Sequence, residues 1–117
     1  MSLFDRYTEE GRARFSKRKY GDEKQFEKLW GSGQITFMEI MQDGNMAGSY
    51  LRYYYLYNSD YYELICDIDA TDTPFKEFQK NQVQEIIYTH TSDNGQPLRY
   101  KCERKEKYVY HFTLMSA

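Results

Sequence analysis

Two cysteines, Cys66 and Cys102, and two histidines, His90 and His111, are the side chains of this 117-residue chain best suited to nucleophilic chemistry. A thiol becomes a nucleophile when a histidine within hydrogen-bond reach can take its proton. Here all four residues stand singly, without the short spacings that cysteine-enzyme signatures or zinc sites use. The hairpin register derived below puts Cys102 and His90 on opposite faces of a sheet. Both cysteines are therefore read as reduced, buried packing residues, and neither a metal nor a cofactor is expected. Asp67 and Asp69 are the best acid–base candidates. They share one strand face about 7 Å apart, and paired carboxylates can move protons or hold a divalent cation. Arg52 is expected to neutralise Asp67, which reduces the pair to a solvated strand face. Gly31-Ser32-Gly33 follows a helix and precedes a strand, the reverse of the order a phosphate loop needs, and reads as a helix C-cap and turn. The sequence thus points to a protein that is not an enzyme.

A chain of 14.2 kDa makes one domain. Leu, Ile, Val and Phe are scarce, but 13 Tyr, 5 Met and 1 Trp add apolar bulk and the net charge is only −2, so a tyrosine-rich core is expected rather than disorder. Charge is uneven: residues 1–30 and 76–117 are each net +2, and residues 31–75 are net −6. That balance lacks the dominant basic field of a non-specific DNA binder. No stretch approaches the ~20 apolar residues of a membrane span, and residues 1–10 lack the apolar segment of a signal peptide. The expected location is cytoplasmic.

The elements that must position any site follow from periodicity and turn chemistry. Phe4, Tyr7, Gly11 and Phe15 recur at helical spacing, which predicts a first helix over about 3–20. Asp22 is a suitable N-cap for a second, with Phe26, Leu29 and Trp30 on its apolar face and Gly31 and Gly33 at its end. Thr73-Pro74 predicts a short helix or turn near 74–81. The rest reads as strands. Asp43-Gly44 and Asn94-Gly95 predict two-residue hairpin turns. The second of these places Ile87 opposite Cys102 and Tyr88 opposite Lys101. Around Asn58-Ser59-Asp60, matching charge to charge places Arg52 opposite Asp67 and Tyr53 opposite Cys66. A last strand is expected over Lys107–Met115. The fold class is therefore α+β: two N-terminal helices, about 3–30, followed by a mostly antiparallel meandering sheet of about six strands over 34–115. The sheet has the option of curling into a partial barrel. Its core face should hold Met38, Ile40, Leu51, Tyr53, Tyr55, Leu64, Cys66, Ile68, Val83, Ile87, Leu98, Tyr100, Cys102 and the aromatics of the last strand.

Two surfaces emerge. The outer face of the first sheet half should carry Ile35, Phe37, Glu39, Tyr50, Arg52, Tyr54, Ile65, Asp67 and Asp69. Aromatics with arginine are what protein hot spots favour, so Phe37, Tyr50, Arg52 and Tyr54 are the expected partner-binding residues, unless the helices cover them. The partner would be another protein or a second copy of the chain. The expected function is that of a small accessory, inhibitor or regulator. The second surface, Tyr88, Arg99, Lys101 and Arg104, interleaves an aromatic with bases and is the alternative, a single-stranded nucleic-acid site. A tyrosine-lined small-ligand pocket within a curled sheet is the third reading.

Overall fold

Thr8 and Asp22 set the two helices. In the computed structural model, which describes residues 2–45, 48–67, 75 and 84–116, helix α1 runs Glu9–Lys17 and helix α2 runs Glu23–Gly31. The Thr8 hydroxyl accepts from the Gly11 N–H at 3.0 Å, and the Asp22 carboxylate from the Gln25 N–H at 2.8 Å. Each satisfies an N–H that the first helical turn would leave orphaned. The first helix is thus shorter than its periodicity suggests. Residues 2–7 form turns instead, because Asp5 hydrogen-bonds the Tyr7 N–H and Thr8 caps before a longer helix can form. Of the predicted stripe, Phe4 is buried but Tyr7 is 86% exposed and Phe15 42% exposed. The apolar face of α2 is as read, with Phe26 and Leu29 in the core.

Strand β1 (Lys19–Tyr20) separates the helices. Strands β2 (Phe37–Asn45), β3 (Gly48–Tyr57), β4 (Asp60–Asp67), β5 (Glu85–Thr91), β6 (Pro97–Glu106) and β7 (Val109–Ser116) follow. All lie in one seven-stranded sheet ordered β1-β4-β3-β2-β7-β6-β5. Two antiparallel meanders, β2-β3-β4 and β5-β6-β7, join where β2 meets β7, and only β1 runs parallel to its neighbour. The sheet stays open, with β1 and β5 at its edges.

Three registers differ from the sequence reading, for three physical reasons. In the β2–β3 hairpin Asn45 pairs with Gly48, so Asp43-Gly44 lies within a strand rather than at the turn. This sets Met38 opposite Tyr55 and Ile40 opposite Tyr53. The expected register would have matched those apolar residues with Ser49 and Ala47, forfeiting their cross-strand packing. Because the slide is even, each residue keeps its face. At β3–β4 the turn is Asn58-Ser59 alone, both with positive φ (52° and 66°), a primed hairpin turn. Arg52 therefore faces Ile65, Tyr53 faces Leu64, and Asp67 faces Tyr50. That slip of two again preserves the faces. At β5–β6, Asp93-Asn94-Gly95 forms a three-residue loop, with the Ser92 N–H donating to the Gln96 carbonyl at 2.9 Å and Gly95 at φ 84°. One extra loop residue inverts β5: Ile87 faces Lys101, Tyr88 faces Tyr100, and Ile86 takes the place opposite Cys102. Ile87 is accordingly 43% exposed rather than core. The final turn falls at Lys107-Tyr108, since Glu106 pairs with Val109.

One sheet face buries Met38, Ile40, Tyr53, Tyr55, Tyr100 and Phe112 beneath α2. Phe26 meets Tyr53 edge-on at 5.2 Å, and Trp30 stacks on His90 at 4.1 Å. Each such fully buried apolar side chain contributes about 1.5–3 kcal/mol. Ile35, expected on the outer face, belongs to this core, and its carbonyl accepts from the Tyr100 hydroxyl. Phe75 also packs here, edge-on to Tyr110 at 4.9 Å. The remainder of the predicted turn at 74–81, with Ile68, Asp69 and Val83, lies outside the described residues.

Candidate functional site

The opposite sheet face carries the polar chemistry. One cross-strand row traverses all seven strands: Glu85, Glu103, His111, Glu39, Tyr54, Glu63 and Tyr20, from β5 to β1. Two of its carboxylates are buried hubs. Glu39 is fully buried, and its oxygens accept from the Ser2 hydroxyl at 2.7 Å and the Leu3 N–H at 2.9 Å and lie 2.8 Å from Nε2 of His111. Glu63 accepts from Nε of Arg18 at 3.0 Å, from Nη1 of Arg52 at 3.1 Å and from the Tyr54 hydroxyl. Burial alone would raise the Glu63 pKa. The Tyr54 and Arg18 hydrogen bonds and the two guanidinium charges outweigh it, and the carboxyl titrates below its ordinary range. Burial would likewise lower the Arg52 pKa, but the Tyr54, Tyr50 and Glu63 interactions reverse it and hold the guanidinium charged.

The N-terminal segment is tied down over this row. Phe4 stacks on Tyr54 at 3.8 Å and meets Tyr61 edge-on, and Nη1 of Arg14 in α1 donates to the Leu3 carbonyl at 3.0 Å. Gly11 permits the closeness, because a Cβ there would sit 2.0 Å from the Asp5 carbonyl oxygen. Ser2, Leu3 and Phe4 therefore lie over Glu39 and Tyr54 on this face, while α2 covers the other side of the sheet.

Beside this covering segment lies a groove of about 1010 Å³. Met41, Arg52 and Tyr54 line its sheet side, the segment around Phe4 and Phe15 forms one wall, and the β6–β7 turn at Lys107-Tyr108 forms the other. Three aromatics at its margin, Tyr7, Phe15 and Tyr108, are 86%, 42% and 49% exposed. Arg6, Arg12 and Lys107 line it too, and no carboxylate among the described residues lies within ion-pair distance of any of the three.

Of the four residues predicted for partner binding, Arg52 and Tyr54 line the groove. Tyr50 lies behind Arg52, whose guanidinium is 5.8 Å from its ring. Phe37 sits apart, edge-on to His111 at 5.2 Å and to Tyr61 at 6.4 Å. Tyr54 is only 3% exposed, so Phe4 has taken the contact that a partner would have made. The ion pair expected between Arg52 and Asp67 goes instead to Glu63, with Asp43 at 3.6 Å. Periodicity places Tyr7 and Phe15 on the first helix's apolar stripe and gives Tyr108 and Lys107 no role in a site. Tyr108 could have been found by placing the turn at Lys107-Tyr108, which exposes both.

The nucleic-acid candidates do not form one surface. The inversion of β5 puts Tyr88 on the α2 side, 6.5 Å from Trp30, while Arg99 and Lys101 stay on the opposite face. Lys101 lies 3.9 Å from Glu85 and 4.0 Å from Glu103. Arg104 turns to the α2 side, with its guanidinium 5.4 Å from the Tyr110 ring. The same inversion brings His90 to the face of Cys102, contrary to expectation, but Nε2 of His90 lies 2.7 Å from the Trp30 carbonyl oxygen. Burial pushes the Cys102 thiol up to about 12. Cys66 and Cys102 are buried and not disulfide-bonded to each other, in strands separated by β3, β2 and β7. Among the described residues no group of three or more His, Cys, Asp or Glu could hold a metal ion, and no helix is long and apolar enough to cross a membrane. Comparison with protein families, curated proteins and solved structures returns no match.

Proposed function

We propose that this chain is a non-catalytic protein-binding domain that takes an acidic segment of another protein into the groove beside Phe4. One observation supports the reading: three exposed aromatics surround a cleft, lined also by Asp5, Asp43 and Glu106, whose Arg6, Arg12 and Lys107 have no carboxylate within ion-pair distance among the described residues. Exposed aromatics at a cleft margin supply large contact area at low entropic cost, and unpaired cations select an acidic partner. Arg52, held by Glu63 and Asp43, serves as a rigid part of the floor rather than as a free charge. Buried cysteines not disulfide-bonded to each other suit a reducing compartment such as the cytoplasm.

The test is selection of a random peptide library against the wild-type chain and against the Tyr7→Ala, Tyr108→Ala double variant. Enrichment of sequences carrying Asp or Glu beside apolar residues is expected, with affinity falling at least tenfold in the double variant. No enrichment, or equal binding by both proteins, would remove the groove as the site. Binding of single-stranded RNA that weakens steeply with salt and is lost in Arg99→Glu, Lys101→Glu would favour the alternative.

A further inference from the structure

We propose that the edge strand β5 is a self-association site, at which two copies of the chain pair antiparallel about a two-fold axis at Tyr88. The proposal stands independently of the groove. The Gln84 carbonyl accepts from the Arg104 N–H, and the Ser92 N–H donates to the Gln96 carbonyl, both at 2.9 Å. The even-numbered residues of this strand therefore point their backbone groups at β6. By alternation, Glu85, Ile87, Thr89 and Thr91 point theirs away from the sheet. No group among the described residues hydrogen-bonds to these outward positions.

The two sheet edges are treated differently. At one, β1 is only Lys19 and Tyr20, paired with Tyr62 and Glu63 of β4, and Lys19 and the preceding Arg18 are in ion pairs to Asp60 and Glu63. A short strand with charged neighbours is how an edge is normally closed to further pairing. At the other edge β5 presents Glu-Ile-Ile-Tyr-Thr-His-Thr with no proline, glycine or lysine. Four of its residues are β-branched, which favours extended backbone, and Ile87 is 43% exposed.

What fits such an edge is another extended backbone, and β5 itself is self-complementary. A two-fold axis at Tyr88 sets Ile87 opposite Thr89 of the second copy and Glu85 opposite Thr91. All four outward residues of each strand then meet outward residues, giving about eight interchain hydrogen bonds. Glu85 is the only acidic residue on the strand and lies at its end, so this register opposes no like charges. Its carboxylate is 3.9 Å from Lys101 of its own chain. The two-fold pairing uses the β5 edge of each copy once, so the assembly closes as a dimer.

Sedimentation and light scattering of the full chain across a dilution series test this, with Ile87→Lys and Thr89→Pro as variants. The wild type is expected at twice 14.2 kDa, and both variants at the monomer mass with an unchanged circular dichroism spectrum. Lysine at position 87 points into solvent but faces Lys101 across the β5–β6 pair, so the unchanged circular dichroism spectrum is the check that β5 stays in its sheet and that the loss lies in the interchain pairing. Proline at position 89 removes an N–H that β6 does not use. If the proline variant fails to fold, Ile87→Lys decides alone, with dimer association weakened at least tenfold. Hydrogen exchange should show the Thr89 and Thr91 amides protected in the wild type and fast in Ile87→Lys. A monomeric wild type overturns the proposal, whether its edge amides exchange freely, are protected by the chain's own residues, or take up an added extended peptide. So does a dimer that survives both edge variants, including one abolished instead by Tyr7→Ala with Tyr108→Ala.

Discussion

Glu63 is a buried carboxylate that three donors have made into a structural anchor. Its depressed pKa means that the folded state favours the ionised form more than the unfolded state does. The stabilisation is therefore fully present above the unfolded pKa of about 4.3 and is lost as pH falls through the lower folded value. Glu63→Ala leaves Arg18 and Arg52 without their shared partner and should cost about 3 kcal/mol at pH 7. Urea titrations of both proteins at pH 7, 4 and 3 should show that difference shrinking with acidification. The thiols make a second prediction at this scale. With Cys102 pushed up to about 12 by burial, labelling of the native chain by a disulfide reagent at neutral pH should be slow and should track unfolding. Fast labelling would show an exposed thiolate.

The turns carry the predictions that belong to elements. Ser59 holds φ 66° in the two-residue β3–β4 turn, a conformation that glycine adopts without the steric penalty of a Cβ. Ser59→Gly should therefore raise stability by about 1 kcal/mol, readable as a higher urea midpoint with unchanged slope. Gly11 behaves in the opposite sense. Alanine normally improves a helix interior by about 1 kcal/mol, but here its Cβ would meet the Asp5 backbone at 2.0 Å. Gly11→Ala should destabilise the chain and loosen the Phe4 contact, seen as faster amide exchange at Leu3 and Phe4. The faces of β2, β3 and β4 were legible because hydrophobic alternation has a period of two and the register errors there were even. The face of β5 was not, because one loop residue more than a two-residue turn requires inverts every side chain of β5 relative to β6.

For the whole molecule, the consequential feature is that β2 and β7, distant in sequence, meet in the middle of the sheet. Central strands have partners on both sides, so the amides of β2 and β7 should exchange only through global unfolding, while those of β1 should exchange by local opening. Site-resolved hydrogen exchange checks this; equal protection of β1 and β2 would contradict it. The central pairing also explains the two-sided coverage. Each face of the sheet carries large side chains, and the chain supplies α2 to one and its N-terminal segment to the other.

Composition and alternation by themselves determined an α+β domain with a tyrosine-rich core, the caps of α2, and the grouping of Tyr50, Arg52 and Tyr54 on one face. These are local properties, set by side-chain volume, periodicity and turn chemistry. Tertiary structure decided which helix covers which face, that Phe4 rather than a partner stacks on Tyr54, and that Arg52 pairs with Glu63 rather than Asp67. It also decided that Tyr88 and Arg99 part to opposite faces. Those outcomes depend on contacts between residues far apart in the chain, where the burial of large aromatic surfaces outweighs the fraction of a kilocalorie that any one cross-strand charge pair contributes.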